Sequence, residues 1–172
     1  MSIRIIEFKA KVDRLDIYED KLLTLNPLFK GLDHQIDTYF NATKDRLKLR
    51  EGNIENALIQ YHRKNTAKSK LSSVKLYKHK ADPVIKEILT DQLGVKVIVD
   101  KQRKIYFLGN VKFHFDTVKN LGTFIEVEAI DERNKYSLEE LKDQCDYYLE
   151  LFQISPSQLI KVSYSDLLLE LD

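Results

Sequence analysis

The sequence predicts an α+β fold in which eight antiparallel strands close into a β-barrel or tunnel with flanking helices. Three observations lead to this fold class. Eight segments alternate apolar and polar residues with the period of two that is typical of strands. Short turn signals separate most of them, as in an antiparallel meander. Three helical segments carry apolar stripes that must pack on apolar strand faces, which leaves the charged strand faces for the inside of the barrel.

The first strand, residues 3 to 12, separates charge from core. Its Glu7, Lys9 and Lys11 share one face, because successive side chains of a strand point to opposite sides. The other face carries Ile6, Phe8, Ala10 and Val12. The stretch "VDRLDIYEDKLLTL" then predicts an amphipathic helix with Asp13 as its N-cap.

The middle of the chain contains four strands and a second helix. The strands are expected at residues 34–40, 45–51, 56–64 and 71–78. Asp82 is a suitable N-cap for the helix, Pro83 fits its first position, and Gly94 fits the residue after its last turn. We expect the apolar stripe of this helix, which includes Val84 and Ile88, to be buried.

The C-terminal part contains three more strands and two helices. The strands are expected at residues 95–109, 110–118 and 121–130, and Gly109 with Asn110 indicates a hairpin between the first two. Ser137 and Glu140 form a capping box at the start of an amphipathic helix. A short helix at residues 163–171 ends the sequence.

The charged faces of the strands share a common chemistry. The period of two places Arg46, Lys48 and Arg50 on one face, and it groups Tyr61 with Arg63, Lys101 with Arg103, His114 with Asp116, and Glu126 with Glu128. For any single strand, a solvated outer face is the simpler explanation. Taken together, inward basic faces make sense only in a wet lumen that receives a polyanion, because buried like charges repel each other.

A triphosphate is the polyanion that this set of residues suits. Lysine and arginine neutralise phosphate oxygens, and the residues expected to bind the triphosphate are Lys9, Lys11, Lys48, Arg50, Arg63, Lys101 and Arg103. Carboxylates are hard ligands for Mg²⁺ or Mn²⁺, and the expected metal ligands are Glu7, Asp116, Glu126 and Glu128. His114 could act as a general base, although a lone histidine on a strand is more often structural.

The composition narrows the expected partners and location. The 28 basic and 27 acidic residues nearly cancel, so we expect neither nucleic acid nor a membrane as partner. The sequence has one cysteine, Cys145, and no apolar window long enough to span a bilayer. These features predict a single cytoplasmic domain over residues 1–172 and leave open whether it is a monomer or a homodimer.

The motifs "IIEFK", "DTYF", "RLKLRE", "LIQYHR", "VDKQRKIYFLG", "FHFDTVKNLGTFIEVE" and "SYSDLL" together resemble the CYTH superfamily. These triphosphate tunnel metalloenzymes include class IV adenylyl cyclases and thiamine triphosphatases, and "KQRKIYFLG" and "LGTFIEVE" are most similar to a bacterial class IV cyclase. The resemblance implies an eight-stranded tunnel with phosphate contacts from Lys9, Arg50, Arg63, Lys101 and Arg103. It also implies a divalent metal held by Asp116, Glu126 and Glu7, and makes Glu7, Lys9 and Glu126 the expected catalytic residues.

The sequence departs from the family pattern at one position. The N-terminal motif of the family is Glu-x-Glu-x-Lys, and here Ile5 replaces its first glutamate. Phosphate binding does not need this carboxylate, but metal-dependent catalysis would lose a hard oxygen ligand. The alternatives are therefore a cyclase that converts ATP to cyclic AMP, a triphosphatase acting on thiamine triphosphate or tripolyphosphate, a non-catalytic nucleotide or polyphosphate sensor, and a purely structural barrel.

Overall fold

The computed structural model describes residues 3–64 and 70–172 of the chain. The strands are β1 (Ile3–Lys11), β2 (Leu28–Phe40), β3 (Arg46–Gly52), β4 (Ala57–Lys64), β5 (Lys70–Lys78), β6 (Val95–Leu108), β7 (Val111–Val118) and β8 (Gly122–Asp131). The helices are α1 (Asp16–Leu23), α2 (Pro83–Leu93), α3 (Leu138–Leu151) and α4 (Tyr164–Leu169), and a 3₁₀ turn at Pro156–Gln158 precedes α4.

The strands close into one antiparallel barrel in the order β1-β5-β4-β3-β2-β6-β7-β8, and β8 pairs again with β1. This topology confirms the predicted fold class. Each strand therefore has two hydrogen-bonded neighbours and sends alternate side chains to the inside of the barrel. Of the helices in the described residues, none combines the length and apolar character that a membrane span needs.

The main hydrophobic core lies outside the barrel, between the strands and α3. Leu141 and Cys145 of this helix are fully buried, and Phe152 packs edge-on against Phe113 of β7. The predicted capping box holds the start of the helix: Ser137 Oγ accepts from the Glu140 amide at 3.1 Å, and the Glu140 carboxylate accepts from the Ser137 amide at 2.7 Å. Because this core uses the apolar faces of β1, β7 and β8, the charged faces of these strands point into the barrel.

Helix α1 begins later than the sequence predicts. Its N-cap position is Leu15, which makes no side-chain cap, so the predicted cap at Asp13 is wrong. The reason is that Val12 still donates its amide hydrogen to the Thr123 carbonyl of β8 at 3.1 Å. The chain is thus still bound to the sheet one residue before the predicted cap.

Helix α2 has the predicted ends but does not bury its apolar stripe. Asp82 accepts from the Val84 amide at 3.0 Å, Pro83 opens the helix, and Gly94 follows it with a φ of +71°. However, Val84 and Ile88 are 52 % and 56 % exposed, so the expected burial of this helix is wrong. The helix connects β5 to β6, which are not neighbours in the barrel, and it touches the sheet at β2.

Strand β2 starts six residues before the predicted start at residue 34. The register with β6 shifts between Phe29 and Gly31, and Gly31 has a φ of +135° that other residues rarely adopt. A Cβ at this position would lie 2.7 Å from Ile54 Cδ1. This glycine therefore allows a bulge within the strand, at a place where the sequence resembles a turn.

Helix α4 lies across one end of the barrel. The hydroxyl of Tyr164 donates to Asp116 on β7 at 2.7 Å, and its ring packs on Phe124 of β8 with 4.9 Å between centroids. Arg46 of β3 donates to Ser163 at 2.7 Å and to Asp166 at 2.9 Å. Since these contacts come from strands on different sides of the barrel, the helix closes this end of the barrel interior. We call this end the floor.

Candidate active site in the barrel cavity

The barrel encloses a cavity of about 610 Å³, and side chains from all eight strands and from α4 line it. This volume is in the range of small-molecule sites. The described basic residues of the lining are Lys9, Lys30, Lys48, Arg50, Lys78, Lys101, Arg103 and Lys112. The described acidic residues are Glu7, Asp37, Glu55, Glu126, Glu128 and Glu132. The charged strand faces therefore point inward, as the packing argument predicts.

Most of the predicted site residues meet in this cavity, Lys11 and Asp116 do not, and the side chain of Arg63 lies outside the described residues. Lys11 is exposed at the end of β1, outside the described lining. Asp116 is fully buried behind Arg103 and is also absent from the described lining. Arg63 is paired with Ser72 in the strand register, but its side chain is outside the described part of the chain, as are residues 65–69, where we expected a basic loop.

Asp37 of β2 is the centre of a buried cluster of cations. Its carboxylate receives two hydrogen bonds of 2.8 Å from Arg50, one of 2.8 Å from Lys101 and one of 3.0 Å from Lys48. Burial alone would raise the pKa of Asp37, but these three cations offset that effect and hold the pKa well below its usual value. One carboxylate thus holds three cationic side chains together, and burial with the neighbouring Arg50 lowers the pKa of Lys101.

A second cluster surrounds Arg103 of β6. Its guanidinium donates to both oxygens of Asp116 at 2.7 and 2.6 Å and to Glu126 of β8 at 2.9 Å. Tyr164 donates to the same Asp116 carboxylate, so several protein donors already occupy this predicted metal ligand. The arrangement makes Asp116 a group that orients Arg103 toward the cavity.

Lys9 and Lys112 are two further cations of the cavity lining. The Nζ atom of Lys9 lies 3.7 Å from Glu126 and 3.9 Å from the centre of the Tyr164 ring. The ammonium group of Lys112 on β7 is hydrogen-bonded to Glu55. Each cluster of cations therefore has carboxylate partners, which lowers the repulsion that unpaired cations would cause in a buried lumen.

His114, Glu126 and Glu128 form the best candidate metal site among the described residues. One ligand atom from each of the three lies within 4.8 Å of the others. His114 is 1 % exposed, and within the described residues neither ring nitrogen makes a hydrogen bond, although Nδ1 lies 3.5 Å from a Glu126 oxygen. Burial and the nearby Arg103 guanidinium lower the pKa of His114 to about 3, so the imidazole is neutral and keeps a lone pair. These donors fit a divalent cation, because a buried polar atom without a partner is costly unless a ligand binds it.

Carboxylate repulsion at the same place also favours a cation. Burial, together with the charges of Glu126 and Glu7, raises the pKa of Glu128 to about 7. Glu7 is directly opposite Glu128 in the register of β1 and β8, and Lys9 is opposite Glu126. A divalent cation would offset the repulsion among these carboxylates.

Sequence reasoning missed several residues of the cavity. Lys112 has the same parity as His114 and Asp116, so the period of two could have found it. Asp37 could have been found in the same way, from the alternation Gln35, Asp37, Tyr39 on β2. Glu55 follows β3 in a connection without strand periodicity, and no pattern in the sequence indicates it.

A closed antiparallel barrel with inward-facing cations and carboxylates defines a tunnel-type β-protein with a charged lumen. The family model of the CYTH domain matches residues 4–164 of the sequence. This chain therefore belongs to the CYTH domain family, and the resemblance seen in the motifs is confirmed. Comparison with curated proteins gave no match.

Solved structures with low sequence identity share the fold. A conserved hypothetical protein from Pyrococcus furiosus aligns with a TM-score of 0.80 at 19 % identity over 95 % of this chain and 99 % of its own. A candidate adenylate cyclase from Vibrio parahaemolyticus aligns with a TM-score of 0.74 at 16 % identity, over 95 % and 97 % of the two chains. A candidate adenylyl cyclase from Hippeastrum, with a dominant triphosphatase activity, aligns with a TM-score of 0.61 at 16 % identity, over 98 % and 94 %.

Proposed function

We propose that this protein binds the phosphate chain of a triphosphate in the barrel cavity and cleaves a phosphoanhydride bond with the aid of Mg²⁺ or Mn²⁺. It would do so in the cytoplasm, as a class IV adenylyl cyclase-like enzyme or a related triphosphatase. The observation that carries the proposal is the position of Glu126 and Glu128, which are grouped with the buried His114, beside clustered lysine and arginine side chains in one cavity.

The cations would bind and orient the phosphate chain. Arg50 and Arg103 are held in fixed orientations by Asp37 and Asp116, so a phosphate oxygen meets donors that need little rearrangement. Lys9 and Lys101 are 5 % and 2 % exposed and supply point charges near the floor. In this low-dielectric environment, charge-assisted hydrogen bonds to phosphate are stronger than in water.

The carboxylates and His114 would hold the metal, with Glu7 as a further oxygen donor. The bound cation would neutralise phosphate charge and stabilise the leaving group. Two reactions are compatible with this arrangement. Attack of water on the γ-phosphorus releases orthophosphate, and attack of a ribose 3′-hydroxyl on the α-phosphorus of ATP releases pyrophosphate and forms cyclic AMP.

Thermal unfolding tests the phosphate-binding part of this proposal. We expect tripolyphosphate to raise the melting temperature by about 5 to 10 °C at roughly one hundred times its Kd, because it stabilises the native state by mass action. Monophosphate at the same concentration and ionic strength should have little effect, since it can contact only one of the cation clusters. Equal small shifts from both anions would contradict a triphosphate site.

Product analysis tests the reaction. The protein is incubated with ATP, thiamine triphosphate or tripolyphosphate, with Mg²⁺ or Mn²⁺, and the products are separated. Orthophosphate indicates a hydrolase, whereas cyclic AMP with pyrophosphate indicates a cyclase. Binding of tripolyphosphate without turnover of any substrate would replace the enzyme proposal by the sensor alternative.

That second candidate, a non-catalytic polyphosphate sensor, is favoured by Ile5. This side chain lines the cavity two residues before Glu7 on the same face of β1. A hydrocarbon group thus occupies a position where the family motif has a carboxylate. The metal would have one oxygen ligand fewer, and binding without efficient catalysis would be the consequence.

The substitution Ile5→Glu is expected to increase metal affinity about tenfold, because it adds a hard oxygen ligand beside Glu7. Ile5 is only partly buried and lines a cavity, so we expect the variant to fold. The measurement is titration with Mn²⁺ followed by electron paramagnetic resonance, with turnover as a second readout. Ile3→Glu is the matched control, since Ile3 lines the same cavity one strand period farther from Glu7. An equal increase in metal affinity in both variants would mean that the affinity depends only on the net charge of the cavity.

A further inference from the structure

One side of the cavity is aliphatic, which a phosphate chain does not need. We call this surface the apolar wall; it consists of Ile130 of β8, Ile3 and Ile5 of β1, Val74 and Leu76 of β5, and Ile59 of β4. These four strands are consecutive in the barrel. The apolar wall is therefore one surface and not a set of scattered residues.

The strand register makes the wall continuous. Ile3 is opposite Val74, Ile5 is opposite Ile130, and Ile59 is opposite Leu76. Cross-strand partners lie about 4.5 to 5.5 Å apart, so these three pairs form one hydrocarbon surface. Ser72, opposite Ile5, and Tyr61, opposite Val74, border it. The wall extends from Val74, which is 8 % exposed, to Leu76, which is 38 % exposed at the end opposite α4. It therefore leads from the interior of the cavity to solvent.

The facing side of the cavity is charged. Asp37 and its three cations lie on β2, β3 and β6, and Lys112 lies on β7. An inorganic phosphate chain carries charge along its whole length, and it would lose water against the apolar wall without gaining a hydrogen bond there. A ligand that suits both sides has an anionic part and a hydrocarbon part.

We propose that the natural ligand of this cavity is a phosphate-chain monoester of an aliphatic alcohol, with its hydrocarbon part on the apolar wall. This inference rests on the proposed function, because the charged side must bind the phosphates. The six side chains of the wall have no hydrogen-bonding group that could recognise the edge of a base. Tyr61 is opposite Val74 at the margin of the wall, but Lys48 Nζ lies 5.7 Å from the centre of its ring, so the wall suits a flexible hydrocarbon chain better than a base that must stack.

Matched ligands test the inference by calorimetry in the absence of turnover. Inorganic pyrophosphate and geranyl diphosphate carry the same phosphate chain, but the second has an aliphatic tail. We expect geranyl diphosphate to bind at least tenfold more tightly, because its tail leaves water for the apolar wall. We expect ATP to bind less than threefold more tightly than tripolyphosphate.

Two variants locate the tail. The double substitution Val74→Thr and Leu76→Ser should weaken geranyl diphosphate binding about fivefold to tenfold and leave pyrophosphate binding within twofold. Val74 is 8 % exposed and Thr adds a hydroxyl there, so thermal unfolding is measured first to show that the barrel remains folded. Leu76→Ser alone, at a position that is 38 % exposed, is the second variant and should weaken geranyl diphosphate binding without affecting pyrophosphate. The control is Ile98→Thr, because Ile98 is 47 % exposed and does not belong to the described lining. It should leave both affinities unchanged.

The outcomes separate this inference from the proposed function. Equal affinity for geranyl diphosphate and pyrophosphate, while tripolyphosphate still binds, would overturn the aliphatic ligand and leave triphosphate binding intact. If ATP binds more tightly than tripolyphosphate while geranyl diphosphate binds no more tightly than pyrophosphate, the ligand is a nucleoside phosphate and the inference is overturned. If the double variant loses affinity equally for geranyl diphosphate and for pyrophosphate, the wall does not bind the tail. Failure of tripolyphosphate itself to bind would overturn the proposed function and this inference together.

Discussion

Replacement of Asp37 by Asn is expected to lower the free energy of unfolding by about 3 to 5 kcal/mol, the usual cost of removing one partner from a buried ion cluster. Asp37 is 1 % exposed and accepts hydrogen bonds from Arg50, Lys101 and Lys48. In the variant these three cations would be left without their shared carboxylate. Chemical denaturation of the two proteins at neutral pH measures the difference.

Tripolyphosphate should restore much of the stability that Asp37→Asn removes. A phosphate chain can supply oxygens to the same three cations, so the rise in melting temperature on adding tripolyphosphate should be larger in the variant than in the wild type. The control is Asp100→Asn, because Asp100 pairs with His34 at the surface and its removal should cost less than about 1 kcal/mol. An Asp37→Asn variant as stable as the wild type would contradict the buried cluster.

The pH dependence of stability provides an independent check on Asp37. A carboxyl group whose pKa is lowered on folding stabilises the protein above its unfolded pKa, which is about 3.9. This contribution is lost as the pH falls through the lowered pKa of the folded state. The difference in stability between wild type and Asp37→Asn should therefore be constant above about pH 5 and decrease below about pH 4.

The substitution Glu126→Gln is expected to reduce metal-dependent turnover by roughly 100-fold or more, since a metal contributes several kcal/mol to stabilising the transition state. Glutamine keeps the shape of the side chain but removes the charge that a hard cation requires. Tripolyphosphate binding without metal should persist, because the change removes a negative charge that competes for Arg103 and Lys9. Steady-state assays and metal-free calorimetry measure the two effects separately.

Glu132→Gln is the matched control for this prediction. Glu132 also lines the cavity, but it is exposed and outside the candidate metal group. We expect its replacement to change turnover less than threefold. If both variants lose activity equally, the effect reflects the total charge of the cavity. If Glu126→Gln keeps full activity while it remains folded, Glu126 has no role in holding the metal.

The sequence was a good guide to the strands because local alternation determines which residues share a face. Glu7 and Lys9 on β1, and Glu126 and Glu128 on β8, were paired correctly by parity. The errors arose where non-local contacts decide the structure. Asp13 could not cap α1 because Val12 is bound to β8. The apolar stripe of α2 stayed exposed because this helix touches the sheet at β2 without burying Val84 and Ile88 against it.

The candidate site was predicted as a list of charges and not as an arrangement of them. The period of two placed Lys48, Arg50, Lys101 and Arg103 on inward faces, and these residues line the cavity. It could not reveal that Asp37 binds three of the cations at once. Nor did it reveal that Asp116 is a partner of Arg103, although the hairpin predicted at Gly109 and Asn110 joins their two strands, because the alternation does not give the register that sets these residues opposite each other.

The amino-acid sequence by itself determined the barrel, its charged interior and its membership of the CYTH domain family, because alternation and motifs are local properties that survive in any register. Only the tertiary structure decided which charges neutralise each other and which groups could hold a metal. The closure of β8 onto β1 brings Glu7 opposite Glu128, and the pairing of β7 with β8 brings His114 opposite Glu126. The same closure joins Ile5 to Ile130, and so builds an apolar wall from residues that the sequence separates by more than one hundred positions.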